Sequence, residues 1–137
     1  MDRDLQERRL ATVREHMDAE NRLDFDTVIA TFARPRYELM ASGRVFDGED
    51  DVRGYFAQSR RVFPDQRNEN AVLHATHDGA VVAEFDLLGT HRDTGRAFRS
   101  RMVAFFFFDE GGDRITCERV YFDRASIDEQ TREPQRD

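Results

Sequence analysis

The stretch from Ser100 to Asp123, SRMVAFFFFDEGGDRITCERVYFD, limits the fold more than any other part of the chain. Two runs rich in β-branched and aromatic residues flank Gly111-Gly112, the pattern of a β-hairpin. A two-residue turn at the glycines places Phe108 opposite Ile115, Phe106 opposite Cys117, Ala104 opposite Arg119, Met102 opposite Tyr121 and Ser100 opposite Asp123 on one face. The other face pairs Phe107 with Thr116, Phe105 with Glu118, Val103 with Val120 and Arg101 with Phe122. Both faces are mostly apolar, so both need cover: helices on one, a cavity or a second subunit on the other. Phe105 to Phe108 on a bare sheet would invite aggregation, and a homodimer is the expected remedy. Alternation alone does not say which face lines a cavity. Glu118 and Arg119 point to opposite sides, so one of them is directed inward and needs a partner there.

Upstream of the hairpin the periodicity is helical, then strand-like. From Leu5 to about Ala19, Leu10, Val13 and Met17 form one stripe of an amphipathic helix, with His16 at its edge. A second helix is expected from Asp24 or Asp26, carrying Phe25, Val28, Ile29 and Phe32 and stopped by Pro35. Residues 37–41 read as a short strand and 43–48 as a turn-rich connection holding Val45 and Phe46. A third helix from about Glu49 presents Val52, Tyr55, Phe56, Ser59 and Phe63 near one face and stops at Pro64. Strands are expected over about 69–76, 80–90, 96–108 and 114–123. Helices followed by an antiparallel meander indicate an α+β domain, with about three N-terminal helices covering one face of a curved, mostly antiparallel sheet and leaving a concave pocket. The expectation is one domain over residues 1–125, with 126–137 too polar to pack and therefore frayed.

Composition narrows the function classes. The 137 residues include 28 acidic and 21 basic side chains, a net charge of -7, with arginine and no lysine supplying the cations. An excess of acid disfavours nucleic acid as a partner. The single Cys117 fits a reducing cytoplasm, and the charged N-terminus has no apolar core of a signal peptide. No run approaches the roughly 18 apolar residues of a membrane span, so no membrane association is expected. There is no Gly-rich phosphate loop, nucleophile elbow or paired-cysteine metal motif. His74 and His77 flank a turn without further convergent ligands. Acid/base chemistry without a cofactor or metal is what remains.

The order of elements, together with YELMASGRVFDGEDDVRGYF at 37–56, VFPD after the third helix, FDLLGTH at 85–91 and ERVYFD at 118–123, resembles the SnoaL-like polyketide cyclases of the nuclear transport factor 2-like superfamily. The resemblance runs from the first helix to about Gln130. It implies a cone-shaped fold and cofactor-free closure of polyketide rings by intramolecular aldol chemistry. It also implies an acid/base aspartate in the last strand, at the position of Asp123, and its GTH segment matches Gly89-Thr90-His91. Only Arg92 and Asp93 separate His91 from Thr94-Gly95-Arg96, a shorter connection than is usual in that family, which reshapes the pocket rim. The ketosteroid-isomerase branch carries a carboxylate base on the first strand, where this chain offers only Glu38.

The candidate catalytic residues are therefore Asp123, as general acid/base, and His91, as its partner or a substrate-orienting group. Each has a structural alternative: Asp123 can end the strand by accepting backbone hydrogen bonds, and His91 can stiffen the 89–95 connection. Candidates for contact with a substrate are Tyr37, Glu84, Met102, Phe106, Glu118 and Tyr121. For Glu84 the competing reading is a solvated face crossed by Arg99 or Arg101. The functional expectation is a cyclase- or isomerase-type enzyme acting on an apolar carbonyl compound. The alternative is a noncatalytic module of the same fold that binds a small molecule or another protein.

Overall fold

The computed structural model describes residues 2–133, and among them aspartates open three of four helices. Asp2 accepts from the Asp4 N–H at the start of α1 (Arg3–Asn21), and Asp24 accepts from Thr27 at the start of α2 (Phe25–Ala30). Asp123 does the same for α4 (Arg124–Thr131), accepting from Ser126. α3 (Glu49–Val62) begins with three acidic residues in its first turn and ends with Arg60 and Arg61 in its last, matching the helix dipole at both ends. Between these lie β1 (Arg36–Leu39), β2 (Arg44–Asp47), β3 (Arg67–Ala75), β4 (Val81–Thr90), β5 (Ala97–Phe108) and β6 (Ile115–Tyr121).

The six strands form one sheet in the order β2-β1-β6-β5-β4-β3. All neighbours are antiparallel except β1 and β6, which run parallel with Tyr37 opposite Glu118 and Leu39 opposite Val120. The α+β expectation is met: helices pack on one face of a mostly antiparallel sheet, and Val13, Met17, Val28, Ile29, Phe32 and Phe56 meet Ala83, Ala104, Phe106 and Val120 in the core. At the closed end, Arg9 of α1 donates to the carbonyls of Gly112, Gly79 and Asp109 and lies over the Phe108 ring. One buried guanidinium thus ties two hairpin turns to the first helix.

Three features differ from the sequence reading. The hairpin does not turn at the two glycines: residues 109–114 connect the strands, and Thr116 is an extra residue in β6, since Phe108 faces Ile115 but Phe107 faces Cys117. Beyond this bulge every pairing is one residue away from the expected one. Phe106 faces Glu118, Ala104 faces Val120 and Val103 faces Tyr121. The start of β6 is fixed instead by the chain after α2, through Ile115 N–H to Thr31 O and Ala33 N–H to Ile115 O. Second, the connection at 43–48 contains an edge strand, β2, paired with β1. Third, 126–131 are not frayed. They belong to α4, whose Ile127 and Thr131 are buried and whose Gln130 side chain exchanges hydrogen bonds with the backbone of Arg99 in β5. The rest of the expected tail, 134–137, lies outside the described residues.

Candidate active site

The parallel contact of β1 with β6 sets Tyr37 and Glu118 side by side on the inner face. α3 crosses above them and contributes Tyr55, Phe56, Ser59 and Arg60. β4 and β5 add Phe85, Leu87 and Met102, and α4 adds Ile127. Together they enclose a cavity of about 580 Å³, within the size range of small-molecule sites. Its body is apolar and aromatic. Its polar end gathers Glu20, Tyr37, Tyr55, Arg60 and Glu118.

Behind that polar end, His16 is fully buried. Its Nδ1 lies 2.9 Å from Thr31 Oγ1. The Thr31 hydroxyl already donates to Val28 O at 2.6 Å, so it accepts from His16 and Nδ1 carries a proton. Nε2 lies 2.7 Å from Glu20 Oε1 and 2.9 Å from Glu118 Oε1 and aims its N–H squarely at neither, so these are close ion pairs rather than linear hydrogen bonds. A ring protonated on Nδ1 and facing two carboxylates through Nε2 is an imidazolium. Burial opposes that charge, but the attraction of Glu118 and Glu20 at this short range outweighs it and lifts the His16 pKa to about 10.

The two carboxylates respond differently. Burial pushes Glu118 above the ordinary glutamate range, and neither the pull of His16 nor the Tyr37 hydroxyl brings it back. Burial acts on Glu20 too, but there His16 and Arg60 prevail and hold it below its usual value. Of the two carboxyls, Glu118 therefore holds a proton more readily than Glu20. Burial also raises both tyrosines, Tyr55 to about 12 and Tyr37 well above the normal phenol, so both hydroxyls remain donors. The ligand atoms of His16, Glu20 and Glu118 lie within 4.8 Å of one another, close enough to surround a cation. Nε2 would ligate one only after giving up its proton.

The sequence candidates divide accordingly. Tyr37, Met102 and Glu118 all line the cavity. Phe106 is inward but lies one layer deeper, edge-on to His16 at 5.4 Å, and does not face the cavity. Glu84 is on the outer face beside His74 and Arg101, its solvated alternative. Tyr121 is also outside, 42 % exposed and edge-on to Phe105, because the bulge puts it opposite Val103 rather than Met102. His91 accepts from the Asp93 N–H through Nδ1 and abuts Phe63, stiffening its loop away from the cavity. Asp123 is exposed, and its Oδ1 caps α4. Neither catalytic candidate reaches the cavity; a carboxylate at a strand end served the next helix instead. Glu38 is outside as well, held between Arg36 and Arg119.

His16, Glu20 and Arg60 were not singled out from the sequence as site residues. A signal was present: His16 and Glu20 are four apart on the same helix stripe as Val13 and Met17, an unusual pair to turn toward a core.

Comparison with known proteins agrees with this architecture. The family described as SnoaL-like domain matches residues 13–117. A "putative polyketide cyclase" from Xanthomonas campestris pv. campestris superposes with a TM-score of 0.83 at 21% identity, covering 92% of this chain and 98% of that one. Another, from Silicibacter sp. TM1040, gives 0.80 at 18% identity, covering 91% and 96%. A protein of ketosteroid isomerase-like fold from Catenulispora acidiphila, solved with trimethylamine, gives 0.78 at 18% identity, covering 88% and 91%. No curated protein matches the chain in sequence.

Proposed function

This chain belongs to the SnoaL-like domain family, and on that premise we propose that it is a small acid/base enzyme that draws an apolar carbonyl compound into its cavity and uses Glu118 to move a proton. The observation that carries this reading is a buried carboxyl with raised proton affinity on the wall of an otherwise apolar cavity. In the ionised form Glu118 takes a proton from the carbon next to the substrate carbonyl. The electron pair of that C–H bond moves into the carbonyl, and the Tyr37 and Tyr55 hydroxyls donate to the resulting enolate oxygen. Returning the proton from Glu118 to a different carbon isomerises the substrate. Alternatively the enolate carbon attacks a second carbonyl in the same molecule, and Glu118 protonates the new alkoxide, closing a ring. His16 does not face the substrate. It is a positioning residue that fixes the Glu118 carboxyl and tunes its charge.

The test is exchange of substrate C–H for C–D in deuterated water, followed by NMR across a panel of apolar ketones. Glu118→Gln is expected to slow exchange by at least about 10²-fold with the far-UV circular dichroism unchanged; an unaltered rate would remove Glu118 from the reaction. The close pairing of Glu118 with His16 favours a second reading, a binding module whose carboxylate is locked in an ion pair. Binding of the ketones without any exchange would select it. The outer face of β5 and β6, with Phe105, Phe107 and Tyr121, serves in either reading as the contact surface of a homodimer.

A further inference from the structure

We infer that Arg60 is an anion anchor, and that the compound held in the cavity carries a carboxylate in addition to its carbonyl. This rests on the reading of the cavity as a ligand site, and deepens it by naming the substrate class: a keto acid with an apolar body.

The fold makes little use of Arg60. Its side chain is 11% exposed, with the guanidinium against the rings of Phe25 and Phe56 at 5.3 and 5.9 Å. Of its five N–H donors, Nη1 reaches Ser59 Oγ at 2.8 Å. Nη2 comes no nearer to Glu20 Oε2 than 3.8 Å, beyond hydrogen-bond distance. Nε is shielded from solvent and has no partner among the described residues. Glu20 is a poor counter-ion as well, because its other oxygen is 2.7 Å from the His16 imidazolium. A buried guanidinium with one hydrogen bond and a shared, distant counter-charge is costly to maintain unless something else fills the space.

What fits is set by geometry. The planar guanidinium carries its donors in a fork that matches a carboxylate with two parallel N–H···O bonds. Arg60 lines the same cavity as Tyr37, Tyr55 and Glu118. A ligand carboxylate on Arg60 leaves the apolar body against Phe56, Phe85 and Met102 and its carbonyl toward the tyrosines. The charges also balance. Imidazolium and guanidinium offset Glu20 and Glu118, and the ligand carboxylate meets the one of these cations that has a single hydrogen bond.

The probe is 2-naphthoate, compared by isothermal titration calorimetry with the uncharged 2-naphthamide. Wild-type protein is expected to bind naphthoate at least about tenfold more tightly than the amide. Arg60→Met should abolish that preference while leaving affinity for the amide within about twofold. Arg60→Lys, which keeps the charge but not the fork, should retain only part of it and guards against a folding defect in the methionine variant. Equal binding of the two probes to wild-type protein, failure of naphthoate to bind, or an undiminished preference in Arg60→Met would each overturn the anchor. Because these measurements need no turnover, ketone exchange by a protein without naphthoate preference would refute the anchor alone. Naphthoate preference without exchange would instead refute the acid/base reading and leave the anchor standing.

Discussion

His16 Nε2 stands 2.9 Å from Glu118 Oε1, joining α1 to β6 at the polar end of the cavity. The link has a thermodynamic signature. In the folded chain His16 keeps its proton up to about pH 10, whereas a free imidazole releases it near 6.5. Protonation thus favours the folded state, fully below the unfolded value and less and less as pH climbs toward 10. Glu118, also raised, acts in the same sense. The urea midpoint should therefore fall between about pH 6.5 and about pH 9.5. His16→Gln, which leaves two buried carboxylates facing a neutral group, should cost about 3–5 kcal/mol and flatten that slope. A wild-type midpoint constant over the interval contradicts the assignment of an imidazolium.

Asp123 gives a contrasting case. Its oxygen accepts from Ser126 N–H and opens α4. Asp123→Ala should lower stability by about 1 kcal/mol, and Asp123→Asn, which can still cap, by much less. Ketone exchange should be unaffected in the asparagine variant; a large loss of exchange with the fold intact would return Asp123 to the chemistry.

The outer face makes a prediction about assembly. Phe105 and Phe107 stack with their planes 12° apart, Tyr121 abuts Phe105, and Val72 on β3 is 49% exposed. Wild-type protein should sediment at micromolar concentration with the mass of two chains, and Phe105→Asp with the mass of one. A wild-type monomer would leave these rings without the cover expected of them.

Gly89 sits where β4 meets β5. A Cβ there would lie 2.8 Å from Phe98 Cε1 and 3.4 Å from Phe63 Cβ. Gly89→Ala should destabilise by about 1–3 kcal/mol in urea unfolding, and trimming Phe98 to Leu in the same chain should restore part of the loss. An unchanged midpoint for the single variant would mean that the ring moves aside freely.

Much of the architecture was readable because single residues announce it. Val28, Ile29 and Phe32 repeat at helical spacing, Pro64 stands directly after the cap of α3, and the long apolar runs of β4 and β5 read as strands, whereas α2 stops at Ala30, short of Pro35. β2 escaped notice because a four-residue edge strand buries little, and only Phe46 is partly covered. α4 was hidden for a similar reason: just Ile127 and Thr131 turn inward from an otherwise polar segment. Thr116 carries no local mark of a bulge. Its placement follows from the backbone of residues 31–33, far away in sequence. The site was legible in the same measure. Tyr37, Met102 and Glu118 were named as candidates, but the expected register set Met102 and Glu118 on opposite faces, and only the bulge at Thr116 brings them to one, whereas His16 acquires its role from contacts with Thr31 and Glu118 on other elements.

The parallel seam between β1 and β6 carries a consequence for biosynthesis. Glu38 and Arg119, paired across that seam, are 81 residues apart in sequence, so the seam closes only after a long loop of chain has been gathered in. A ribosome-bound chain that has not yet released β6 holds the His16 and Glu20 pair on α1 but neither Glu118 nor a closed cavity. The cavity and its polar end are therefore completed late and together.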